Sequence, residues 1–192
     1  MASFGHAPLI LASASPRRRD LLAQIGIVPA RIAPTDIDET RRKDESPRAL
    51  AERLAREKAV ACDADGFVLA ADTVVALGTR NLEKAENAAE AEAFLRLLSG
   101  RSHQCITGIA VKAPDGRLQS RTVLARVRMK RITDQEIAAY VASGEWQGKA
   151  GGYGIQGMAG AFVTHINGSY TTIVGLPLYE TKSLLEGMGW RG

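Results

Sequence analysis

The stretch Phe67-Val-Leu-Ala-Ala-Asp-Thr-Val-Val-Ala-Leu77 constrains the fold more than any other part of the chain. It is almost continuously apolar, so as a strand it needs cover on both faces. It also holds one charge, Asp72. An ionised carboxylate among such residues is costly unless it is paired or binds a metal. The run therefore predicts a sheet buried on both sides and a working carboxylate inside it.

The other elements assemble around that strand. Leu9-Ile-Leu-Ala12 reads as a buried strand, Ser13-Ala-Ser15 as a tight turn, and Pro16 as the first helical residue behind a Ser15 cap. Arg17, Arg18 and Arg19 follow in the first helical turn, where the dipole disfavours cations. They either sit in solvent or meet an anion; phosphate suits both the guanidinium fork and the free N–H groups of a helix start. Residues 27–33 read as a second strand and Asp36-Ile-Asp-Glu39 as an acidic loop. Ser46-Pro47 opens a helix to about Cys62, with Leu50, Leu54 and Lys58 on one face. A lysine on that apolar stripe either snorkels at the core edge or has work to do.

Lys84 ends a looser strand, and residues 85–98 form a helix stopped by Ser99-Gly100. Two β runs, residues 102–112 and 118–132, flank a turn at Ala113-Pro-Asp-Gly-Arg117. Thr133-Asp-Gln-Glu136 is a capping box for a helix over residues 137–142. A Gly-rich segment spans residues 146–160. Residues 161–166 and 169–174 then read as a hairpin around Asn167-Gly168, and a last helix ends near Gly187. The pattern is α/β with a mixed sheet, expected as one domain over residues 1–192.

Composition narrows the function. A net charge of +4 is too mild for nucleic acid but suits a small polyanion. Cys62 and Cys105 have neither metal-ligand spacing nor a disulfide framework, which fits a reducing compartment. No apolar run reaches the length of a membrane span, and the first eight residues lack the layout of a signal peptide. A cytoplasmic location is expected. His6, His103 and His165 stand alone, so no zinc site is expected. There is neither a nucleophile elbow nor a P-loop. Gly152-Tyr-Gly-Ile-Gln-Gly157 has dinucleotide-loop spacing but does not leave an apolar strand to open a helix. What remains is Arg17, Arg18, Lys58 and Lys84 against Asp38, Glu39 and Asp72. Cations that offset phosphate charge, with carboxylates that hold a hard divalent ion and activate water, suit metal-assisted chemistry on a phosphate.

Leu11-Ala-Ser-Ala-Ser-Pro-Arg-Arg18, Ala55-Arg-Glu-Lys58, Ala71-Asp-Thr-Val-Val75, Ser99-Gly100, Ala150-Gly-Gly-Tyr-Gly-Ile-Gln-Gly157, Gly168-Ser169 and Val174-Gly-Leu-Pro177 resemble, in order and over nearly the whole chain, the Maf family of nucleotide pyrophosphatases. The resemblance implies an elongated α/β fold related to the inosine triphosphate pyrophosphatases, with a central mixed sheet flanked by helices and a cleft between two lobes. It implies hydrolysis of nucleoside triphosphates to a monophosphate and pyrophosphate with a divalent metal, Mg²⁺, Mn²⁺ or Co²⁺. It makes Asp72 the general base and a metal ligand, with Glu39 assisting at the metal or water. It assigns Ser13, Arg18, Lys58 and Lys84 to the phosphates, although Ala85 stands where the family usually has proline. Arg17, Thr73 and Gln156 match the subclass acting on dTTP and UTP. The implied partner is the triphosphate, without nucleic acid or membrane, and a homodimer stays open. A nucleotide-binding regulator of division or septum formation and a weak nucleic-acid binder also stay open. A buried Asp72 is costly to the first, and 5% aromatic content leaves the second few stacking platforms.

Overall fold

The structure is a computed structural model that describes residues 7–192; His6 and the N-terminal stretch weighed above as a leader lie outside the described residues. The chain runs β1 (Leu9–Leu11), α1 (Pro16–Gln24), β2 (Arg31–Ile32), α2 (Pro47–Ala61), β3 (Phe67–Leu77) and β4 (Arg80–Leu82). It continues through α3 (Ala88–Leu98), β5 (Ser102–Lys112), β6 (Leu118–Met129), α4 (Asp134–Ser143), β7 (Val163–Asn167), α5 (Tyr170–Val174) and α6 (Leu178–Met188). Among the described residues the strands make one seven-stranded sheet in the order β2-β1-β3-β5-β6-β7, with β4 paired to β3 off that path. β1 lies parallel to β2 and β3, and the remaining pairs are antiparallel, so the sheet is mixed.

β3 is the apolar run that needed cover, and it has cover on both faces. Phe67, Leu69 and Ala71 pack with Leu21 and Leu22 of α1 and Leu184 and Leu185 of α6. Val68 and Ala70 point the other way, against Ala55 and Ala59 of α2. This alternation places Asp72 on the α2 face and Thr73 on the opposite one. α2 rests close to the sheet because Gly108 of β5 lies opposite Asp72 in the register. A Cβ there would fall 2.1 Å from the carbonyl oxygen of Ala51. Glycine thus lets the helix settle low enough for Lys58 to reach β3.

On one side β3 changes partners. β1 pairs with Phe67, Val68 and Leu69, and β4 only with Val75, Ala76 and Leu77. Between them, residues 70–74 have β5 on one edge and, among the described residues, no strand on the other. At the two ends of the sheet the apolar side chains gather into separate clusters. One joins Leu82, Phe94, Met129, Tyr140 and Tyr153, and the other joins β1, α1 and α6.

Four expectations need correction. The second strand shrinks from residues 27–33 to Arg31–Ile32, because Ile27 donates its N–H to Leu22 in closing α1 and Pro29 has none to donate. The hairpin is absent: residues 170–174 form a helix instead of a strand. Their β-branched preference yields to burial of Thr172 and Val174 and to backbone bonds from Gly175 and Leu176 back to Thr171. Gly168 turns the chain there at φ +110°, with Ala125 close beneath it. The third helix begins at Ala88 behind an Asn87 cap that accepts from Glu90 N–H, three residues later than expected. Ser15 takes the cap position of α1 but its side chain makes no capping bond.

Candidate active site

A cleft of about 450 Å³ opens where β3 lacks a strand neighbour. Residues from six stretches reach it. The turn after β1 and the start of α1 supply Ser13, Arg17 and Arg18, and the loop before α2 supplies Glu39. Lys58 comes from α2, Asp72 and Thr73 from β3, Lys84 from just beyond β4, and Gln156 from the Gly-rich loop. All the side chains that the resemblance assigns to the site therefore line one cavity. Asp38 does not: it is exposed and its Oδ1 accepts from Thr40 N–H at 2.9 Å. Neighbours on an irregular loop have no periodicity to say which faces inward, and only Glu39 does.

Asp72 and Lys58 are both buried, and Lys58 Nζ donates to Asp72 Oδ1 at 2.6 Å. Glu39 Oε1 lies 2.7 Å from the same nitrogen. One ammonium thus bridges two carboxylates, one rigid on a strand and one on a half-exposed loop. Burial pushes Glu39 up, but the hydrogen bond and charge of Lys58, with Lys84 and Arg18 beyond, bring it below its ordinary value.

Arg18 braces three segments. Its Nε donates to the Gly175 carbonyl at 2.9 Å, its Nη1 to Ser13 Oγ at 2.9 Å, and its Nη2 to Thr73 Oγ1 at 3.4 Å. Burial lowers its pKa, with Asp72 pulling the other way. Thr73 Oγ1 lies 2.9 Å from Thr107 Oγ1, which donates to the Thr172 carbonyl at 2.8 Å.

The facing wall is looser at its tips. Arg17, Lys84 and Gln156 make no side-chain hydrogen bond among the described residues. The backbone near Lys84 and Gln156 is held: Lys84 bridges Ala150, Ala85 is buried in the core, and Gly154 N–H donates to Tyr140 Oη at 3.0 Å. Alanine in place of the family's proline therefore still leaves Lys84 at the cleft. Tyr153 Oη sits 2.7 Å from His103 Nε2, and burial pushes His103 down to about 4, so the ring is neutral near pH 7.

Lys149 escaped the sequence reading. It lines the cleft, donates to the Glu145 carbonyl, and is lowered in pKa first by burial and then by Arg17. Its signal was available, as the only lysine in the Gly-rich segment. With it, Arg17, Arg18, Lys58, Lys84 and Lys149 face the two carboxylates Glu39 and Asp72 across one cavity. That imbalance favours a polyanion.

The family described as Maf-like protein matches residues 8–188. A protein of Hyphomonas neptunium named dTTP/UTP pyrophosphatase is 80% identical, over 97% of this chain and 98% of that one. One of Caulobacter vibrioides with the same name is 60% identical, over 95% of this chain and 96% of that one. Among solved structures, a HAM1 protein from Coxiella burnetii is 18% identical over 65% of this chain and 73% of that one, with a TM-score of 0.44, too distant to add to the family match.

Proposed function

Because the chain belongs to the Maf-like protein family, we propose that it hydrolyses nucleoside triphosphates, dTTP and UTP above all, to the monophosphate and pyrophosphate. The names of its 80% and 60% identical relatives support the substrate class. The observation that carries the chemistry is the buried Asp72 held by Lys58 at 2.6 Å, inside a cleft whose other charges are mostly positive. A carboxylate so placed can take a proton from a water that attacks the α-phosphorus. The water oxygen then bonds to that phosphorus, the bridging bond to the β-phosphate breaks, and pyrophosphate leaves with the displaced electrons. Arg18, Lys84 and Ser13 face the phosphates and stabilise the charge that develops on the leaving group.

Among the described residues no three or more metal-binding side chains gather. The donor set still fits a hard cation that takes the rest of its ligands from phosphate, because Glu39 and Asp72 already converge on one cationic nitrogen. Those two carboxylates would hold Mg²⁺, Mn²⁺ or Co²⁺, which when bound supplies Lewis-acid neutralisation of phosphate charge. For the base, uracil and thymine offer two carbonyls and one N3–H, which the Gln156 amide and the Thr73 hydroxyl can match, with Arg17 beside them. Both cysteines are free and buried, and among the described residues no helix is long and apolar enough to cross a membrane. The free thiols support a cytoplasmic setting.

The test is pyrophosphate release by the pure protein from dTTP, UTP, CTP, ATP and GTP with Mg²⁺ or Mn²⁺, and with chelator. The expected result is metal-dependent release, highest in kcat/KM for dTTP and UTP. A purine preference would overturn the pyrimidine assignment. Nucleotide binding without any pyrophosphate would make the protein a nucleotide sensor instead.

A further inference from the structure

Gln156 sits at the tip of a tight turn whose two ends are gripped by one short segment. Gly157 N–H donates to the Gly154 carbonyl at 3.1 Å, which closes the turn with Ile155 and Gln156 at its central positions. Glu145 does not line the cleft and has no part in the chemistry above, yet its carboxylate lies against that turn. We propose that Glu145 is a positioning residue: it clamps the turn over residues 154–157 from outside the cleft and sets where Gln156 meets the nucleotide. This rests on the nucleoside triphosphate reading.

The clamp is anchored in the core. Beyond α4 the chain turns at Gly144, and the Trp146 indole is buried with its Nε1 donating to the Val141 carbonyl at 3.0 Å. Glu145 and Lys149 flank that anchor. Glu145 Oε2 accepts from Met158 N–H at 2.9 Å. Met158 opens a short 3₁₀ helix over Met158–Phe162, and Gly157 in its cap position has no side chain to satisfy that N–H. The carboxylate of another segment therefore serves as the cap. Glycine makes the approach possible: a Cβ on Gly157 would overlap Glu145 Oε2, and the three atoms nearest to it all belong to Glu145. At the other end of the turn a Cβ on Gly154 would fall 2.5 Å from Lys149 Cε, so the lysine stem lies across that glycine. Lys149 Nζ donates to the Glu145 carbonyl and closes the clamp.

A turn ended by two glycines has little stiffness of its own, so its position depends on what grips it. Gly154 has the Tyr140 hydroxyl and the Lys149 stem, while the Gly157 end has the Glu145 carboxylate. Gln156 makes no side-chain hydrogen bond among the described residues, so its amide points where the backbone beneath it points. With the Gly157 end released, Gln156 has to be ordered as the ligand binds, at a cost in affinity. Asp72 and Lys58 lie on β3 and α2, outside the clamp, so the chemical step is untouched. The loss belongs in KM rather than in kcat.

The experiment is steady-state pyrophosphate release from UTP by the wild type, Glu145→Ala, Glu145→Gln, Gly157→Ala and Gln156→Ala. Glu145→Ala should raise KM by about two- to tenfold, the worth of one hydrogen bond, with kcat within about twofold. Glu145→Gln keeps an oxygen for Met158 N–H and should restore KM. Gly157→Ala puts a methyl group where the carboxylate sits, at a φ of −108° that alanine adopts, so it should raise KM alike and add nothing to Glu145→Ala. In a Gln156→Ala background Glu145→Ala should add less than about twofold, because both act through one contact. An unchanged KM in folded Glu145→Ala overturns the inference and leaves the proposed function standing. A kcat that falls with KM unchanged marks lost folded protein and overturns it too, as does a full further rise in KM on top of Gln156→Ala. If Glu145→Ala does not fold, Gly157→Ala alone and with Gln156→Ala gives the same decision. A wild type that releases no pyrophosphate from UTP or dTTP overturns the functional reading and this inference with it.

Discussion

Around the cleft one set of polar side chains is already held by others, whereas three more reach out unheld. Lys58 is fixed by Asp72 and Glu39, Arg18 by Ser13, Gly175 and Thr73, and Thr73 by Thr107. Arg17, Lys84 and Gln156 have no side-chain hydrogen-bond partner among the described residues, although the backbone near Lys84 and Gln156 is braced by the Lys84–Ala150 bridge and by the bond from Gly154 to Tyr140. Groups pinned before the ligand arrives need little reorganisation as charge develops, which is where catalytic stabilisation comes from. Groups free until the ligand arrives lose rotamer freedom on binding, and what they return is capture. The pinned wall is built for chemistry and the free wall for holding.

The largest effect should come from the pinned wall. Asp72→Asn should lower kcat by about 10²–10⁴-fold, the usual worth of a positioned general base. The fold should survive, because Lys58 keeps Glu39 at 2.7 Å and no ammonium is left unpaired. Pyrophosphate release at saturating UTP, beside circular dichroism and a thermal melt, separates the two effects. Near-normal kcat in a folded variant would remove Asp72 as the base. It would also erase the distinction between the walls.

The next effect tests how the pinned wall is pinned. Glu39 sits on a loop that Arg53 of α2 ties down by donating to Thr40 O at 3.0 Å and to both carboxylate oxygens of Glu45, Oε1 at 2.7 Å and Oε2 at 3.0 Å. The Arg53 hydrogen bond is the main reason Glu45 falls from its ordinary 4.5 to about 2. A carboxylate lowered on folding stabilises the folded state fully above its unfolded pKa and ceases to do so as pH falls through its folded one. Arg53→Ala should therefore melt below the wild type at neutral pH, and the gap should close between pH 4.5 and about 2. In activity the loss should appear as a higher metal requirement, about 10–100-fold, as when a ligand's support is removed. A metal titration that is unmoved would mean the loop places Glu39 without Arg53.

How much of this could be read from the chain depends on how each residue stands out from its surroundings. Asp72 was visible because a charge in an eleven-residue apolar strand has no bland explanation, and Lys58 because it falls on the helix stripe with Leu50 and Leu54. Thr107 lies in the same kind of apolar run, but a lone hydroxyl there is common, and only the partners around it reveal its polarity. Tyr170-Thr-Thr-Ile-Val174 misled because local β preference was outweighed by burial on the sheet, which no local pattern records. Lys149 and the choice of Glu39 over Asp38 depend on how loops turn. Convergence itself is a property of the gap in β3's pairing, made by strands far apart in sequence.

The smallest effect belongs to the free wall and decides whether the two walls differ in kind. Arg17 is a guanidinium at the cleft with no hydrogen-bond or ion-pair partner among the described residues, so it contributes when a ligand is present. If its contacts are the same to substrate and transition state, removing it raises KM and leaves kcat alone. Arg17→Ala should raise KM for UTP by roughly tenfold, the worth of one hydrogen bond to a charged group, with kcat kept within about twofold. Stability should not fall, since no partner is orphaned. Gln156→Ala should do the same more weakly, because its amide is neutral. Steady-state kinetics on UTP decide it: a kcat that falls as far as KM rises would mean that Arg17 tightens only as the bond breaks. The free wall would then share in the chemistry, with substrate binding rather than folding as the step that assembles it.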